Sequence, residues 1–129
     1  MSFPIKKAMA PRDISKRIAE CLAKRDLEAI VSFFHPSCIV AFPPGGPPQR
    51  GLESVRILFK PFVEAGAILK SNVTGELVNG DTALVQANWR VEGADGALLA
   101  EGNSTEVTKQ LEDGSWVYFI DCPLGPPAI

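Results

Sequence analysis

The chain has 129 residues, 46% apolar and 22% charged, which suffices for one domain with its own core and leaves no room for a second. A formal net charge of −2, without any Lys/Arg stripe interleaved with aromatics, speaks against nucleic-acid binding. No apolar run approaches the roughly 20 residues of a membrane span, and the first ten residues lack the apolar stretch of a secretion signal, so the expected setting is cytoplasmic, with no membrane contact.

Residues 1–10 carry no periodic pattern and read as a tail. Pro11, followed by Ile14, Ile18, Cys21 and Leu22, predicts an amphipathic helix with proline in its first turn. Asp26 has the chemistry of an N-cap for a second helix, with Leu27, Ile30, Val31 and Phe34 on its buried side and Pro36 at its end. A short strand, Cys38 to Phe42, must stop at the proline-rich loop 43–48. Leu52, Val55, Leu58, Phe59, Phe62 and Val63 then repeat at helical spacing over about Leu52 to Glu64, with Gly66 as the stop. Phe59 and its neighbours are core residues some of which can line a pocket floor. His35, the one histidine, falls at the predicted helix end, in a capping or polar-core role. Cys21, Cys38 and Cys122 form an odd set without CxxC spacing, which argues for small core residues and against a disulfide framework or a zinc site.

After Gly66 the sequence changes to β-formers separated by Asn79-Gly80, Asp95-Gly96 and Asp113-Gly114. The class is therefore α+β: about three N-terminal helices packed in the concavity of a strongly curved, mainly antiparallel sheet. If each dipeptide makes a two-residue loop, Glu106 lies opposite Asp121, Val85 opposite Glu106, Thr74 opposite Val85, Trp89 opposite Gly102 and Thr108 opposite Phe119, all on one face. Two carboxylates at cross-strand distance repel, and under an apolar lid one keeps its proton as a donor or general acid. The other reading is a bulged register with two solvated acids. The opposite face combines Gln86, Asn88 and Arg90 with Trp116, Tyr118 and Ile120, a composition suited to a homodimer interface.

The run Asp26 to Pro36, then Pro43, Gly51, Asp113-Gly114-Ser115-Trp116 and Ile120-Asp121-Cys122-Pro123, resembles the ketosteroid-isomerase-like and SnoaL-like group of the nuclear transport factor 2-like, cystatin-like superfamily. The resemblance covers 11–125, a single domain with 1–10 and 126–129 as tails, and implies dimerisation through the sheet. Position by position, the isomerase's catalytic base falls at Phe42 and its oxyanion tyrosine at Ile18, so ketosteroid isomerisation is not expected. Its protonated acid matches Glu106, and cyclase-like relatives use an aspartate matching Asp121.

These readings make Asp121 and Glu106 the candidate acid/base pair, with Trp89, Phe42, Ile18, Thr74, Phe59 and Phe119 as ligand-binding residues. The expected partner is a small apolar metabolite, and no metal or cofactor is implied. Lyase- or isomerase-type chemistry, a non-catalytic binding module and a dimeric association domain all remain open.

Overall fold

The computed structural model describes residues 5–129. A 3-10 turn at Pro11–Asp13 leads into α1, Ile14–Ala23, which buries Ile14, Ile18, Cys21 and Leu22 along one side. Asp26 caps α2, Leu27–Val31, its carboxylate accepting from the Ala29 N–H at 3.1 Å. The helix ends at Val31, earlier than the sequence suggests, and β1 already runs Phe34–Val40. The cause is local: a residue preceding proline is pushed out of the helical region, so His35 becomes extended. The Phe33 carbonyl and Phe34 are then claimed by the last strand, with Tyr118 N–H donating to Phe33 at 2.9 Å. His35 is thus a strand residue and no helix cap; its ring meets Phe119 edge-to-face at 5.2 Å and its Nδ1 accepts from Ser37 N–H.

A two-residue β2, Gln49–Arg50, enters α3, Gly51–Glu64, and Gly66 closes that helix at φ +64°. Four long strands follow: β3 Ile68–Asn79, β4 Thr82–Glu92, β5 Leu98–Gln110 and β6 Trp116–Cys122. One six-stranded sheet has the order β2-β1-β6-β5-β4-β3, antiparallel throughout except for the parallel β1–β6 pair. The helices lie against its inner face, where Ile14, Leu22, Ile30, Val40 and Val55 are fully buried. Cys21, Cys38 and Cys122 are buried free thiols. Of the expected leading tail, residues 1–4 lie outside the described residues; Ala8 is buried and its carbonyl accepts from Trp116 N–H at 2.8 Å.

The turns differ from two-residue loops centred on the three dipeptides, which as type I′ turns would need positive φ at both central residues. Only the glycines have it: Gly80 at +62°, Gly96 at +85° and Gly114 at +87°. Gly80 and Asp81 form the first loop, so Asn79 faces Thr82, and a bulge at Thr74 interrupts the ladder. Glu76, not Thr74, therefore lies opposite Val85. In the last hairpin the strands part at Gln110 and Trp116, and a bulge at Phe119 pairs Thr108 with Tyr118.

That second bulge reverses the expected facing of β6. Trp116 and Tyr118 point inward and are buried, while Phe119 turns outward beneath the Lys109 ammonium. The outer sheet face consequently lacks the two aromatics assigned to it.

Candidate functional site

A cavity of about 100 Å³ lies between the helices and the inner face of the sheet. Each element contributes according to its buried stripe. From α1 come Ser15, Ile18 and Leu22; from α3, Leu58, Phe59 and Phe62. Phe34 and Phe42 close the side next to β1. The sheet supplies Ser71, Trp89, Ser104, Glu106, Tyr118 and Asp121, and Pro123 lies across the rim.

Glu106 and Asp121 are directly paired across β5 and β6, as the hairpin counting anticipates, and both are buried. Opposed residues of an antiparallel pair have Cβ atoms about 5 Å apart, close enough for the two carboxyls to feel each other's charge. Ser104, two residues earlier on the same face, donates its hydroxyl to Glu106 Oε1 at 2.6 Å. Glu106 Oε2 is buried with no hydrogen-bond partner, in a residue only 4% exposed. Burial first, then the Asp121 charge, pushes the Glu106 carboxyl up to about 8, against a smaller downward pull from Ser104. Burial pushes Asp121 up to about 7. The two release their protons as a pair, so near neutral pH the site retains a proton that an ordinary surface acid would have lost.

The same burial, together with the neighbouring acids, raises the Tyr118 phenol well above its ordinary value, so it faces the pair as a neutral hydroxyl group. Trp89 donates its indole N–H to the Pro123 carbonyl at 2.7 Å, tying the C-terminal segment over the sheet. Gly102 is opposite Trp89, and a Cβ there would meet Leu124 Cδ2 at 2.5 Å and the Pro123 oxygen at 3.1 Å. The space above this glycine is filled by the indole and the returning chain.

Of the residues chosen from sequence, Asp121, Glu106, Trp89, Phe42, Ile18 and Phe59 converge on the cavity. Thr74 does not: it is exposed at the β3 bulge, and Ser71 takes the row position facing Trp89. Phe119 does not: its bulge turns it to the outer side against His35 and Lys109. Sequence reasoning missed Tyr118, Ser104 and Ser15. Ser104 was readable from its two-residue spacing to Glu106, whereas Tyr118 was concealed by the bulge. Among the described residues no three His, Cys, Asp or Glu side chains cluster to hold a metal ion, and no helix is long and apolar enough to cross a membrane.

Helices seated in a curved mixed sheet around an apolar, acid-bearing cavity define a protein of the nuclear transport factor 2-like, cystatin-like class. A SnoaL-like domain model matches residues 16–119, and the chain belongs to that family. Its fold is shared with a cystatin-like protein from Nostoc punctiforme, at 16% identity, TM-score 0.71, and coverage of 92% of this chain and 90% of that one. A candidate calcium/calmodulin-dependent protein kinase type II association domain from Thiobacillus denitrificans matches at 16% identity and TM-score 0.69, covering 95% of this chain and 99% of that one. A ketosteroid isomerase-like protein from Erwinia carotovora matches at 14% and 0.66, covering 86% and 89%. No curated protein matches the chain. Identities this low establish the shared fold alone.

Proposed function

We propose that the chain is a small-molecule pocket protein in which Glu106 and Asp121 form an acid/base pair acting on a small, largely apolar substrate in isomerase- or cyclase-type proton transfer. The observation that carries this reading is the unpartnered Glu106 Oε2, buried at the edge of an apolar cavity beside a second raised carboxyl. Neighbouring carboxyls that titrate near neutral pH can hold one proton ready to donate while the second oxygen site accepts another. With Phe42 and Ile18 apolar, the pair supplies the only carboxyls among the described lining residues.

The test follows small ketones and alcohols by the Trp89 indole N–H resonance in H₂O and by deuterium entry at their C–H positions in D₂O. The expected result is a saturable indole shift together with exchange that Asp121→Asn abolishes while binding persists. Binding without exchange for every probe would reduce the function to ligand uptake.

A second reading, an association module, has one specific support: Leu77 and Leu84 pair on the outer face while 73% and 43% exposed. Sedimentation equilibrium of wild type and Leu84→Glu tests it. A concentration-independent monomer in wild type removes this reading.

A further inference from the structure

The cavity presents two carboxyls and, among the described lining residues, no Lys, Arg or His. Its other side-chain polar atoms are an indole N–H already donated to Pro123 and four hydroxyls, on Ser15, Ser71, Ser104 and Tyr118. Ser104 places its one hydrogen on Glu106 Oε1, leaving Oε2 bare. No side-chain hydrogen bond reaches the Asp121 carboxyl among the described residues, and burial alone accounts for its shift. Buried carboxylates need a compensating positive group, and the described lining residues supply none. Compensation must come as protons or as an incoming cation.

The walls discriminate among cations. A metal ion needs several oxygen ligands, whereas the rest of this lining is largely hydrocarbon and aromatic. Phe34, Phe42, Phe59, Phe62, Trp89 and Tyr118 offer π-faces, which attract organic cations and accept hydrocarbon equally well. An anion would face a pair that near pH 7.5 is already negative, with one proton between its two carboxyls. A volume of about 100 Å³, against the ~10–15 Å³ needed per water, admits a molecule of about seven to ten non-hydrogen atoms.

We propose that the cavity takes a small organic amine, bound as its ammonium, with N–H donors on Glu106 Oε2 and the Asp121 carboxylate and its hydrocarbon part against the aromatic walls. This rests on the pocket reading and narrows its substrate class. The proton balance is explicit: the empty pair keeps a proton near neutrality, the ammonium takes its place between two ionised carboxylates, and the displaced proton leaves to solvent. The titratable groups facing the pair from the packed elements are Cys38 on β1 and Tyr118 and Cys122 on β6, all raised by burial and therefore neutral in this range. The polar lining residues from α1, β3 and β4 are Ser15, Ser71 and Trp89, none of them charged, and α3 brings apolar side chains.

The experiment compares benzylamine, benzyl alcohol and benzoate, three probes of nearly one shape, by calorimetry and by the Trp89 indole resonance. Titrations in phosphate and in HEPES, a zwitterion too bulky for the cavity, count protons exchanged because the two buffers' ionisation enthalpies differ. At about pH 7.5, benzylamine should bind about tenfold or more tighter than benzyl alcohol, benzoate should not bind, and close to one proton should be released. An alkylammonium stays charged well above neutrality, so affinity should rise with pH as the pair is titrated from about pH 6 upward, by up to about a hundredfold per pH unit where two protons are displaced and about tenfold where one is. Glu106→Gln and Asp121→Asn should each abolish proton release and erase the preference for the amine. Equal or tighter binding of the alcohol or of benzoate, or amine binding without proton release, overturns the amine assignment while leaving the pocket reading intact. No indole shift with any probe overturns both.

Discussion

Replacing Glu106 with Gln keeps the shape of the side chain and the oxygen that accepts from Ser104, and removes one of two buried ionisable groups. In wild type both carboxyls have folded-state values above their unfolded ones. The fold then retains protons that the unfolded chain has already released, so stability falls with rising pH. The loss is absent below about pH 3, where both states are protonated, and complete above about pH 9, where both are ionised. A move from 4.5 to about 8 corresponds to about 5 kcal/mol at about 1.4 kcal/mol per pH unit, and water entering the cavity reduces this to about half. Glu106→Gln should therefore match wild type within about 1 kcal/mol at pH 4.5 and exceed it by about 2–5 kcal/mol at pH 8.5. Urea unfolding followed by tryptophan fluorescence at steps of pH reads this directly. Between pH 5 and 7 the wild-type slope should approach about 3 kcal/mol per pH unit, one increment per retained proton, and the variant's should be about half that. Parallel curves for the two proteins across this range would refute the buried-pair argument.

Other perturbations isolate single supports. Gly102→Ala drives a methyl into Leu124 and the Pro123 carbonyl, so it should cost about 1–3 kcal/mol and speed exchange of the Trp89 indole proton with solvent. Trp89→Phe deletes the 2.7 Å bond to Pro123, which should lower stability by about 1 kcal/mol and make the chain after Cys122 cleave faster in limited proteolysis. Asp26→Ala removes the α2 cap, an expected loss of about 1 kcal/mol in urea unfolding with no change in probe affinity. Phe119→Leu, on the outer side, should leave probe affinity within about twofold, whereas Phe59→Ala in the wall should shift it by about tenfold or more.

The helices and the change to a meander were legible because they rest on local rules. Pro11 before a periodic apolar stripe and Asp26 at a cap position each act through neighbours within one turn of chain. The α2–β1 boundary was not legible in the same way. Phe34 fits the apolar spacing of a helix, and its parallel pairing with β6, some eighty residues away in sequence, joins the extended His35 before Pro36 in making it a strand residue. Tertiary pairing overrode a local pattern that was itself correctly read. Phe42 and Ile18 reached the cavity list through resemblance, and both line it because the fold, not their chemistry, fixes those positions.

The acid pair and Thr74 came from one counting argument, and the turns explain why it succeeded for one and failed for the other. In the β5–β6 hairpin, Gln110 faces Trp116 where a two-residue Asp113-Gly114 loop would put Val117, an offset of one residue. The bulge at Phe119 cancels that offset, restoring Ile120 opposite Val107 and Asp121 opposite Glu106. The β4–β5 hairpin does the same, with Leu99 skipped so that Ala100 faces Val91 and Gly102 faces Trp89. In both, glycine alone takes the left-handed conformation and one bulged residue absorbs the difference, as turns with a single left-handed position tend to do. In β3–β4 the loop is displaced to Gly80-Asp81, two residues from the expected pairing, and the bulge at Thr74 recovers only one. The working face of the sheet thus depends on where bulges fall relative to each turn: beyond the bulge at Phe119 the β6 register puts Asp121 against Glu106, and before it the same shift turns Tyr118 inward to meet them.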